Sequence, residues 1–567
     1  MPAVTHPEIP RRAVLATGAA GAGALALTGG DAAGSALSER RRSYFQHGVA
    51  SGDPLPEAVL LWTRVTPTRK AVPGSGKGPK VTVRWEVATD RKFRKVVRRG
   101  SFETGPSRDH TVKVDVKGLK PETWYFYRFR FRDGKSPVGR TRTAPDPTST
   151  PDNLRFGVVS CANLQAGWFT AYRALARRTD LHAVLHLGDY LYEYGPGQYG
   201  YGFDEVDIRP HEPAHEMVSL ADYRQRHAQY KRDADLQALH AAYPWIITWD
   251  DHEVTNDQWA AGGENHTPAT EGDYAARRAR AHRAYDEWMP VRMDGTARLQ
   301  DGDRLYRRLR FGRLAEISML DLRSYRSKNV ETEVPLPGPQ PEPEVSDPSR
   351  TITGKQQMQW LKDSLDRIGV QWKVIGNPVM IAPINYQGLP DDLIGPINDI
   401  TGLLPEDGFP YNVDQWDGFT HDRKEVFKFI KNHQISDALF ITGDIHSGWA
   451  CELPYDGSTY PVGDSAGVEF VCSSVTSSNL KDLLGAPPRT ASLPVEGAIT
   501  ANNRHIKYLD FDSHGFCVLD ITSQRAQMDW FVIGDRKDRG TPITWSRSFV
   551  TKAGTGRITE ATKPVDR

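Results

Sequence analysis

The first part of the chain, from about residue 44 to residue 145, alternates apolar and polar positions in short runs. The apolar positions are Val81, Val83, Trp85 and Val87, then Val112, Val114 and Val116, then Tyr125, Tyr127, Phe129 and Phe131. Alternation with a period of two places every second side chain on the same face of a strand, so these runs predict half-buried β-strands. Turn residues at Gly105-Pro106, Gly118 and Asp133-Gly134 separate the runs. The pattern predicts a small antiparallel sandwich of the fibronectin type.

A different pattern begins after a proline-rich linker at residues 145–151. Short apolar runs predict buried strands at 154–160, 183–188, 245–249, 372–376 and 439–443, and stretches of helical spacing lie at 168–178, 221–242, 274–288, 353–366 and 421–432. Strands that alternate with helices are typical of an α/β fold. We therefore predict a β-sandwich at residues 38–147, an α/β unit at 148–522 and a C-terminal extension at 523–567. A lid over the site is one candidate role for the extension, which the sequence leaves open.

The N-terminal residues 1–37 have the pattern of an export signal. Arg11 and Arg12 precede a mildly apolar stretch at 16–27, and small residues at 32–36 provide a cleavage region. This order is typical of a twin-arginine signal, and the apolar stretch is too short and too weakly hydrophobic to span a bilayer. The alternative is a disordered tail with a chance arginine pair. We expect a secreted protein that uses the twin-arginine export machinery and has no transmembrane segment.

The overall charge excludes some classes of partner. The chain has 72 Lys and Arg against 71 Asp and Glu, a net charge of +1. Such a balance does not steer a whole surface toward nucleic acid or an anionic membrane, so anion selectivity must come from a local site. Four cysteines in 567 residues are too few for a disulfide scaffold. Cys451 and Cys472 either pair in an oxidising compartment or are small buried apolar residues.

Four of the five predicted α/β strands end in residues that bind metals. The ends are Ser160-Cys161-Ala162-Asn163, Gly188-Asp189-Tyr190-Leu191-Tyr192-Glu193, Asp250-Asp251-His252-Glu253 and Gly443-Asp444-Ile445-His446-Ser447, and the fifth strand runs to Gly376-Asn377. Each set alone is more typical of a polar turn or a helix cap. Strand ends converge at the carboxyl edge of an α/β sheet, however, and four such sets together predict a catalytic metal centre.

The motifs S-C-x-N, G-D-x-x-Y-E, D-D-H-E and G-D-x-H-S, in this order after a sandwich and an arginine pair, resemble those of the PhoD-type alkaline phosphatases. This family belongs to the calcineurin-like metallophosphoesterases. The segment Leu-Asp-Leu-Arg-Ser-Tyr-Arg at 320–326 also resembles it. The resemblance implies a fibronectin-like β-sandwich followed by a four-layer αββα metallophosphoesterase domain. It also implies an Fe³⁺ ion, a Ca²⁺ ion and a phosphate-ester substrate.

The resemblance also implies a role for each candidate residue. Asp189 would bridge two cations; Cys161, Tyr192 and His446 would complete the iron site; Asp251, Asp444 and, as a further candidate, Asn377 would form the calcium site. Oxygen ligands suit calcium, and a thiolate with a phenolate suits trivalent iron. His252 would stabilise the phosphoryl charge or protonate the leaving oxygen, unless it only orients a ligand. Asn163, Arg323 and Arg326 are candidates for substrate binding, and the alternative for both arginines is a structural salt bridge.

The expected function is secreted hydrolysis of phosphate monoesters and diesters. Two cations about 3.5–4 Å apart would clamp phosphate oxygens and generate hydroxide for in-line attack. One alternative is a phospholipase D-like phosphodiesterase that acts on phospholipid head groups. Another is a non-catalytic module that binds phosphate or a cell-wall polymer, which predicts missing ligands at one or more strand ends. All four sets are filled, which favours an enzyme. The sequence does not distinguish a small-molecule, phospholipid or polymer substrate.

Overall fold

The computed structural model describes residues 44–199, 207–296, 298, 304–330, 342–384 and 412–566. Residues from Tyr44 onward form one compact unit. The predicted export signal at 1–37 lies outside the described residues. Within the described ranges, no helix combines the length and the apolar character needed to cross a membrane.

The strands and helices follow the hydrophobic pattern closely. The strands are β1 (Val49–Leu55), β2 (Ala58–Arg64), β3 (Val81–Ala88), β4 (Val96–Thr104), β5 (Thr111–Lys117), β6 (Trp124–Phe131), β7 (Gly134–Lys135), β8 (Gly139–Arg142), β9 (Asn153–Val159), β10 (Ala183–Leu187), β11 (Pro244–Thr248), β12 (Arg307–Phe311), β13 (Ala315–Met319), β14 (Trp372–Asn377), β15 (Ala438–Thr442), β16 (Gly448–Pro454), β17 (Ser465–Val471), β18 (Ile506–Asp510), β19 (His514–Thr522), β20 (Arg525–Ile533), β21 (Ile543–Lys552) and β22 (Ile558–Ala561). The helices are α1 (Thr170–Ala176), α2 (Leu220–Tyr230), α3 (Ala234–Ala242), α4 (Pro268–Glu271), α5 (Tyr274–Trp288), α6 (Glu342–Val345), α7 (Lys355–Leu365), α8 (Thr420–Asn432), α9 (Leu480–Leu484) and α10 (Ser492–Asn502).

Two large sheets form the centre of the fold. One has ten strands in the order β22-β21-β20-β19-β9-β10-β11-β1-β2-β5, and the other has seven in the order β12-β13-β14-β15-β17-β16-β18. Buried side chains such as Phe156, Leu185, Val374 and Ile441 fill the space between the sheets. Two further apolar cores lie on the outer faces and include side chains from the helices. The layers are therefore helix, sheet, sheet and helix, which confirms the predicted four-layer α/β arrangement.

The N-terminal β-rich region is confirmed, and its sandwich shares a layer with the large sheet. One layer is the sheet β4-β3-β6-β7, with β8 paired to β6. The other layer is β1, β2 and β5, and the apolar core between the layers includes Val59, Val83, Val112 and Tyr127. Because β1 also pairs in parallel with β11, this second layer continues directly into the ten-stranded sheet. The predicted domain boundaries remain predictions.

The structure refines several predicted elements. The stretch 221–242 forms two helices: α2 ends at Tyr230, and Asp233 caps the start of α3 by accepting a hydrogen bond from the Leu236 amide. The residues of the predicted C-terminal extension form β20, β21 and β22 of the ten-stranded sheet. Cys451 and Cys472 are free buried thiols, as are Cys161 and Cys517.

Candidate metal centre

The candidate ligands follow the carboxyl ends of four strands in the two packed sheets. Cys161 follows β9, Asp189 follows β10 and Asp251 follows β11, and these three strands are parallel neighbours. Asp444 and His446 follow β15 of the seven-stranded sheet. Because parallel strands present their carboxyl ends at the same edge, the residues meet where the two sheets lie against each other.

Two glycines allow the ligand loops to approach this closely. Gly188, directly before Asp189, has φ 110°, and a Cβ atom there would lie 2.5 Å from Cβ of Asp250. A Cβ atom on Gly443, directly before Asp444, would lie 2.7 Å from Cβ of Ser160. Both distances are shorter than real Cβ contacts, so a larger residue would push the loops apart. The G-D pairs of the sequence therefore serve close packing as well as chemistry.

Side chains of the candidate residues form three overlapping groups. Ligand atoms lie within 4.8 Å of one another in Cys161, Asp189 and His446, in Asp189, Asp251 and His252, and in Asp189, Asp250, Asp251 and Asp444. Asp189 belongs to all three groups. This is the placement that the predicted bridging carboxylate requires, since one carboxylate can bind a cation through each of its two oxygens.

Four candidate ligands adopt a backbone conformation that is uncommon for residues other than glycine. The φ angles are 56° at Cys161, 55° at Asp189, 65° at Asp444 and 54° at His446. Such residues cost of order 1–3 kcal/mol each and persist where the surrounding structure holds them, often at functional sites. These residues follow three of the four strands, β9, β10 and β15, so these three strand ends share a left-handed backbone conformation directly after the strand.

The buried carboxylates have fewer partners than their charge requires. Within the described part of the chain, Oδ1 of Asp189 and Oδ1 of Asp251 are buried and have no hydrogen-bond partner. Burial, together with the nearby carboxylates, raises the pKa of Asp189 and Asp444 well above the usual range. Partnerless buried oxygens beside other carboxylates are the groups that a bound cation satisfies. The residues therefore fit a metal centre.

The sulfur, phenol and imidazole candidates lie close to Asp189. The Tyr192 hydroxyl donates to Oδ2 of Asp189 at 2.9 Å and lies 3.2 Å from Nε2 of His446. Nδ1 of His446 donates to the Ser478 carbonyl at 2.7 Å. This contact places the imidazole proton on Nδ1 and leaves the Nε2 lone pair facing the centre. Cys161 completes the same group, so the residues predicted for iron are neighbours in space.

His252 lies at the edge of the centre and is oriented by Glu193. Its Nδ1 donates to Oε2 of Glu193 at 2.8 Å. Oε1 of Glu193 accepts from the Asn256 amide at 2.7 Å and from the Asn265 side chain at 3.2 Å. Although burial opposes it, the carboxylates of Asp251 and Glu193 raise the pKa of His252 well above its usual value. A positive imidazole at this position suits a group that faces phosphate oxygens.

Glu253 ties two of the ligand loops together. Its carboxylate accepts hydrogen bonds from the backbone amides of Asp189 at 3.2 Å, Tyr190 at 2.7 Å and Asp250 at 2.9 Å. Because these amides belong to the loops after β10 and β11, one side chain fixes the relative position of both. The sequence showed Glu253 inside the D-D-H-E motif without indicating this role.

The two candidate arginines form ion pairs with carboxylates. Arg323 is fully buried and donates to both oxygens of Asp250, at 2.5 and 3.0 Å, and to Asp414 at 2.9 Å. It also lies 3.7 Å from oxygens of Asp251 and Asp444. Arg326 lies 2.9 Å from Asp414. These contacts favour the salt-bridge alternative, in which the arginines neutralise part of the negative charge of the centre.

The two candidate asparagines have different surroundings. Asn377 donates to Thr442 at 3.1 Å and to Glu469 at 3.3 Å, and its carbonyl oxygen accepts from Trp416 at 3.1 Å. These contacts hold it within the seven-stranded sheet. Asn163 is fully buried, and its Nδ2 has no hydrogen-bond partner among the described residues. An amide of this kind remains able to donate to a substrate oxygen.

Several residues of the centre were not singled out by the sequence. Asp250 and Glu193 lie inside the quoted motifs, beside the residues that were chosen. Asp414 follows none of the predicted strands, so no local signal marked it. Ser477 and Ser478 follow β17, whose mostly apolar run Val468–Val471, interrupted by Glu469, precedes a polar segment much as the other strand ends do. That run was the signal that could have identified them.

Comparisons with known proteins cover nearly the whole described chain. The family model described as PhoD-like phosphatase matches residues 156–530, and that of the PhoD-like phosphatase N-terminal domain matches residues 31–145. Alkaline phosphatase D of Bacillus subtilis (strain 168) is 37% identical over 509 residues, which are 89% of this chain and 80% of that protein. The solved structure of PhoD superposes with a TM-score of 0.80 at 34% identity and covers 92% of this chain and 93% of its own.

Proposed function

We propose that this chain, which belongs to the PhoD-like phosphatase family, is a secreted enzyme that depends on Fe³⁺ and Ca²⁺. Its proposed reaction is the hydrolysis of phosphate monoesters and diesters. Membership of the family makes the chain a phosphoesterase with metal cofactors. The observation that carries the proposal further is Asp189: among the described residues, its carboxylate belongs to three groups of candidate ligands and has a buried oxygen without a hydrogen-bond partner. The metals, the export and the substrate range are the parts that we propose.

In this proposal the ligands divide into two sets that share Asp189. Cys161, Tyr192 and His446 form the set with sulfur, phenol and imidazole donors, which suits a trivalent iron. Asp251 and Asp444 form the set with carboxylate donors, which suits calcium. Asp250 lies within the second group but binds Arg323 through both oxygens, so we assign it to charge balance. When bound, the cations would supply Lewis-acid activation of a water nucleophile and neutralise phosphate charge.

The residues around the ligands would bind the substrate and stabilise its charge. His252, positively charged and oriented by Glu193, would donate to a phosphate oxygen or to the leaving oxygen. The unpartnered amide of Asn163 would donate to a second oxygen. Arg323 and Arg326 are assigned a supporting role, since carboxylates already occupy their guanidinium groups. In this arrangement His252 and Asn163 would supply hydrogen-bond donors to the substrate, and the ligand sets would hold the cations that neutralise its charge.

The proposed secretion depends on the N-terminal arginine pair. Arg11 and Arg12 precede the apolar stretch and the small-residue segment 32–36 in the order that export signals require. Replacing both arginines with lysine should leave the precursor inside the cell. The measurement is the fraction of phosphoesterase activity in the medium together with the N-terminal sequence of the released protein. Unchanged release would contradict the twin-arginine route.

Metal analysis combined with paired assays tests the enzymatic proposal. The purified protein is analysed for iron and calcium by mass spectrometry, then assayed on a chromogenic phosphomonoester and on a chromogenic phosphodiester, with and without EDTA. We expect both metals and turnover of both substrates, with loss of activity in EDTA and in Asp189→Ala. Full activity in a metal-free preparation or in Asp189→Ala would overturn the mechanism. Turnover of the diester alone would favour action on phospholipid head groups.

A further inference from the structure

A buried polar loop lies directly behind the ligands that we assign to iron. Residues 473–479, here called the serine loop, follow β17 and read Ser-Ser-Val-Thr-Ser-Ser-Asn. All seven residues are at most 3% exposed. Loops normally run over the surface, because a buried loop must satisfy all its polar groups within the protein. Burial of this segment therefore points to a role that depends on its hydrogen bonds.

The inner side of the serine loop contacts three candidate ligands. The Ser477 hydroxyl lies 2.7 Å from the Tyr192 hydroxyl and 2.9 Å from the Cys161 carbonyl. The Ser478 carbonyl accepts from Nδ1 of His446 at 2.7 Å. The loop thus touches the side chains of Tyr192 and His446 and the backbone of Cys161, which are the three residues of one ligand set.

The outer side of the loop is anchored by a second network. The Ser474 hydroxyl donates to the Ser477 carbonyl at 2.8 Å and lies 2.9 Å from Nδ1 of His514. Nε2 of His514 lies 2.8 Å from Oδ2 of Asp482. Arg536 donates to the Thr476 carbonyl. The loop is therefore tied to β19 through His514 and to the turn after β20 through Arg536, and His514 in turn contacts Asp482 of α9.

The Ser474, His514 and Asp482 contacts have the residue types of a hydrolase triad, but their surroundings indicate another role. Ser474 is fully buried and its hydroxyl donates to a backbone carbonyl. A nucleophile needs access to a substrate carbonyl or phosphoryl group. The three residues instead fix the conformation of the loop that carries Ser477.

We propose that Ser477 is a positioning residue for the Cys161, Tyr192 and His446 half of the centre and that the Ser474–His514–Asp482 network holds it in place. This rests on the proposed function, in which those three residues bind iron. A hydroxyl that donates to the Tyr192 oxygen stabilises the phenolate that a metal requires, and the same hydroxyl reaches the backbone of the cysteine ligand. Residues that orient ligands in this way typically change metal affinity or activity by about 10- to 100-fold when removed.

The test compares Ser477→Ala with Ser473→Ala. Ser473 lies in the same loop, is 3% exposed, and its hydroxyl faces the backbone of Gly448. Iron per chain is measured after dialysis against a series of EDTA concentrations, the phenolate-to-iron absorption is recorded in the visible range, and kcat and KM are determined. Ser477→Ala should lose iron at an EDTA concentration about 10- to 100-fold lower than the wild type. Its absorption should move to longer wavelength, because the phenolate electrons are less stabilised.

Each outcome decides between the alternatives. Ser473→Ala should behave as the wild type. If the wild type binds iron and hydrolyses phosphoesters while Ser477→Ala retains both iron and absorption maximum, the positioning role is wrong and the proposed function stands. A wild type without iron would instead remove the proposed function. If Ser477→Ala does not fold, His514→Gln carries the test and should show the same changes to a smaller extent. Failure of both variants to fold would make the loop a folding determinant and overturn the proposal.

Discussion

Replacing Arg323 with methionine should destabilise the cation-free protein by about 3–5 kcal/mol, because the change leaves several carboxylates buried without their counter-charge. Arg323 is fully buried, with its guanidinium 2.5 and 3.0 Å from the two oxygens of Asp250 and 2.8 Å from Asp414. Methionine keeps an unbranched chain that fills the channel of the arginine stem. The substitution therefore removes charge more than packing.

The size of the expected loss of unfolding free energy depends on how many carboxylates Arg323 neutralises. Removing one partner of a buried ion pair costs about 3–5 kcal/mol, since the remaining charge stays buried. Arg323 binds Asp250 and Asp414 together and lies 3.7 Å from oxygens of Asp251 and Asp444. We therefore expect the upper half of that range, which corresponds to roughly three orders of magnitude in the ratio of folded to unfolded protein.

Urea unfolding followed by tryptophan fluorescence measures the effect, once in EDTA and once in calcium chloride. The control is Arg326→Met. Arg326 is equally buried, but among the described residues its ion pair is with Asp414 alone. The loss of unfolding free energy in this variant should therefore be smaller. Calcium should restore part of the stability of Arg323→Met, because bound cations supply positive charge to the same carboxylates. An unchanged urea midpoint in EDTA together with a raised KM for a phosphomonoester would refute the reasoning, since this is the behaviour of a phosphate clamp.

Three further predictions concern the candidate bridging ligand, the sandwich contact and a buried histidine. Asp189→Asn should reduce both bound iron and bound calcium. Asp444 belongs to one of the three described ligand groups, so Asp444→Asn should leave the iron content unchanged. Equal losses of iron in both variants would contradict the bridging role of Asp189. Lys113→Met removes a buried ion pair between β5 and Asp286 of α5. The free energy of unfolding should therefore fall by about 3–5 kcal/mol at unchanged KM. A raised KM at an unchanged free energy of unfolding would count against this assignment. Burial lowers the pKa of His182 from 6.5 to about 3, so its neutral form contributes stability above about pH 6.5 that is lost as the pH falls toward 3. His182→Gln should therefore flatten the acid side of a plot of unfolding midpoint against pH, and parallel curves for both proteins would show the assignment to be wrong.

The predicted strands of the catalytic unit agree with the structure to within one or two residues. The runs at 183–188, 245–249 and 439–443 correspond to β10, β11 and β15. Strands of a sheet covered on both faces are buried on both sides, so they read as continuous apolar runs that stop where the chain reaches solvent or a site. The same boundary marks the polar residues that follow. For this reason a local pattern was enough to place Asp189, Asp251 and Asp444 directly after the strands.

The partners of these residues could not be predicted in the same way. Arg323 lies 73 positions from Asp250 and 91 from Asp414 along the chain, and no periodicity relates them. The serine loop follows a strand that the pattern did not separate from its surroundings, and its role depends on His514 and Arg536 from distant segments. Whether a charged or polar side chain binds a substrate or neutralises a neighbour depends on what is buried beside it, which only the packed chain decides.

The sandwich shows the same division between local pattern and tertiary structure. Alternation along 81–87, 112–116 and 125–131 determined that these segments are strands with one buried face, because that face must leave water. It did not determine which sheet each strand joins. The strands β3 and β6 belong to the smaller sheet, whereas β5 lies with β1 and β2 in the ten-stranded sheet, through the pairing of β1 with β11. The sequence by itself determined most of the elements and the types of candidate ligand at their ends. Only the tertiary structure decided which strands pair and which charges are neutralised, because both depend on contacts between segments far apart in the chain.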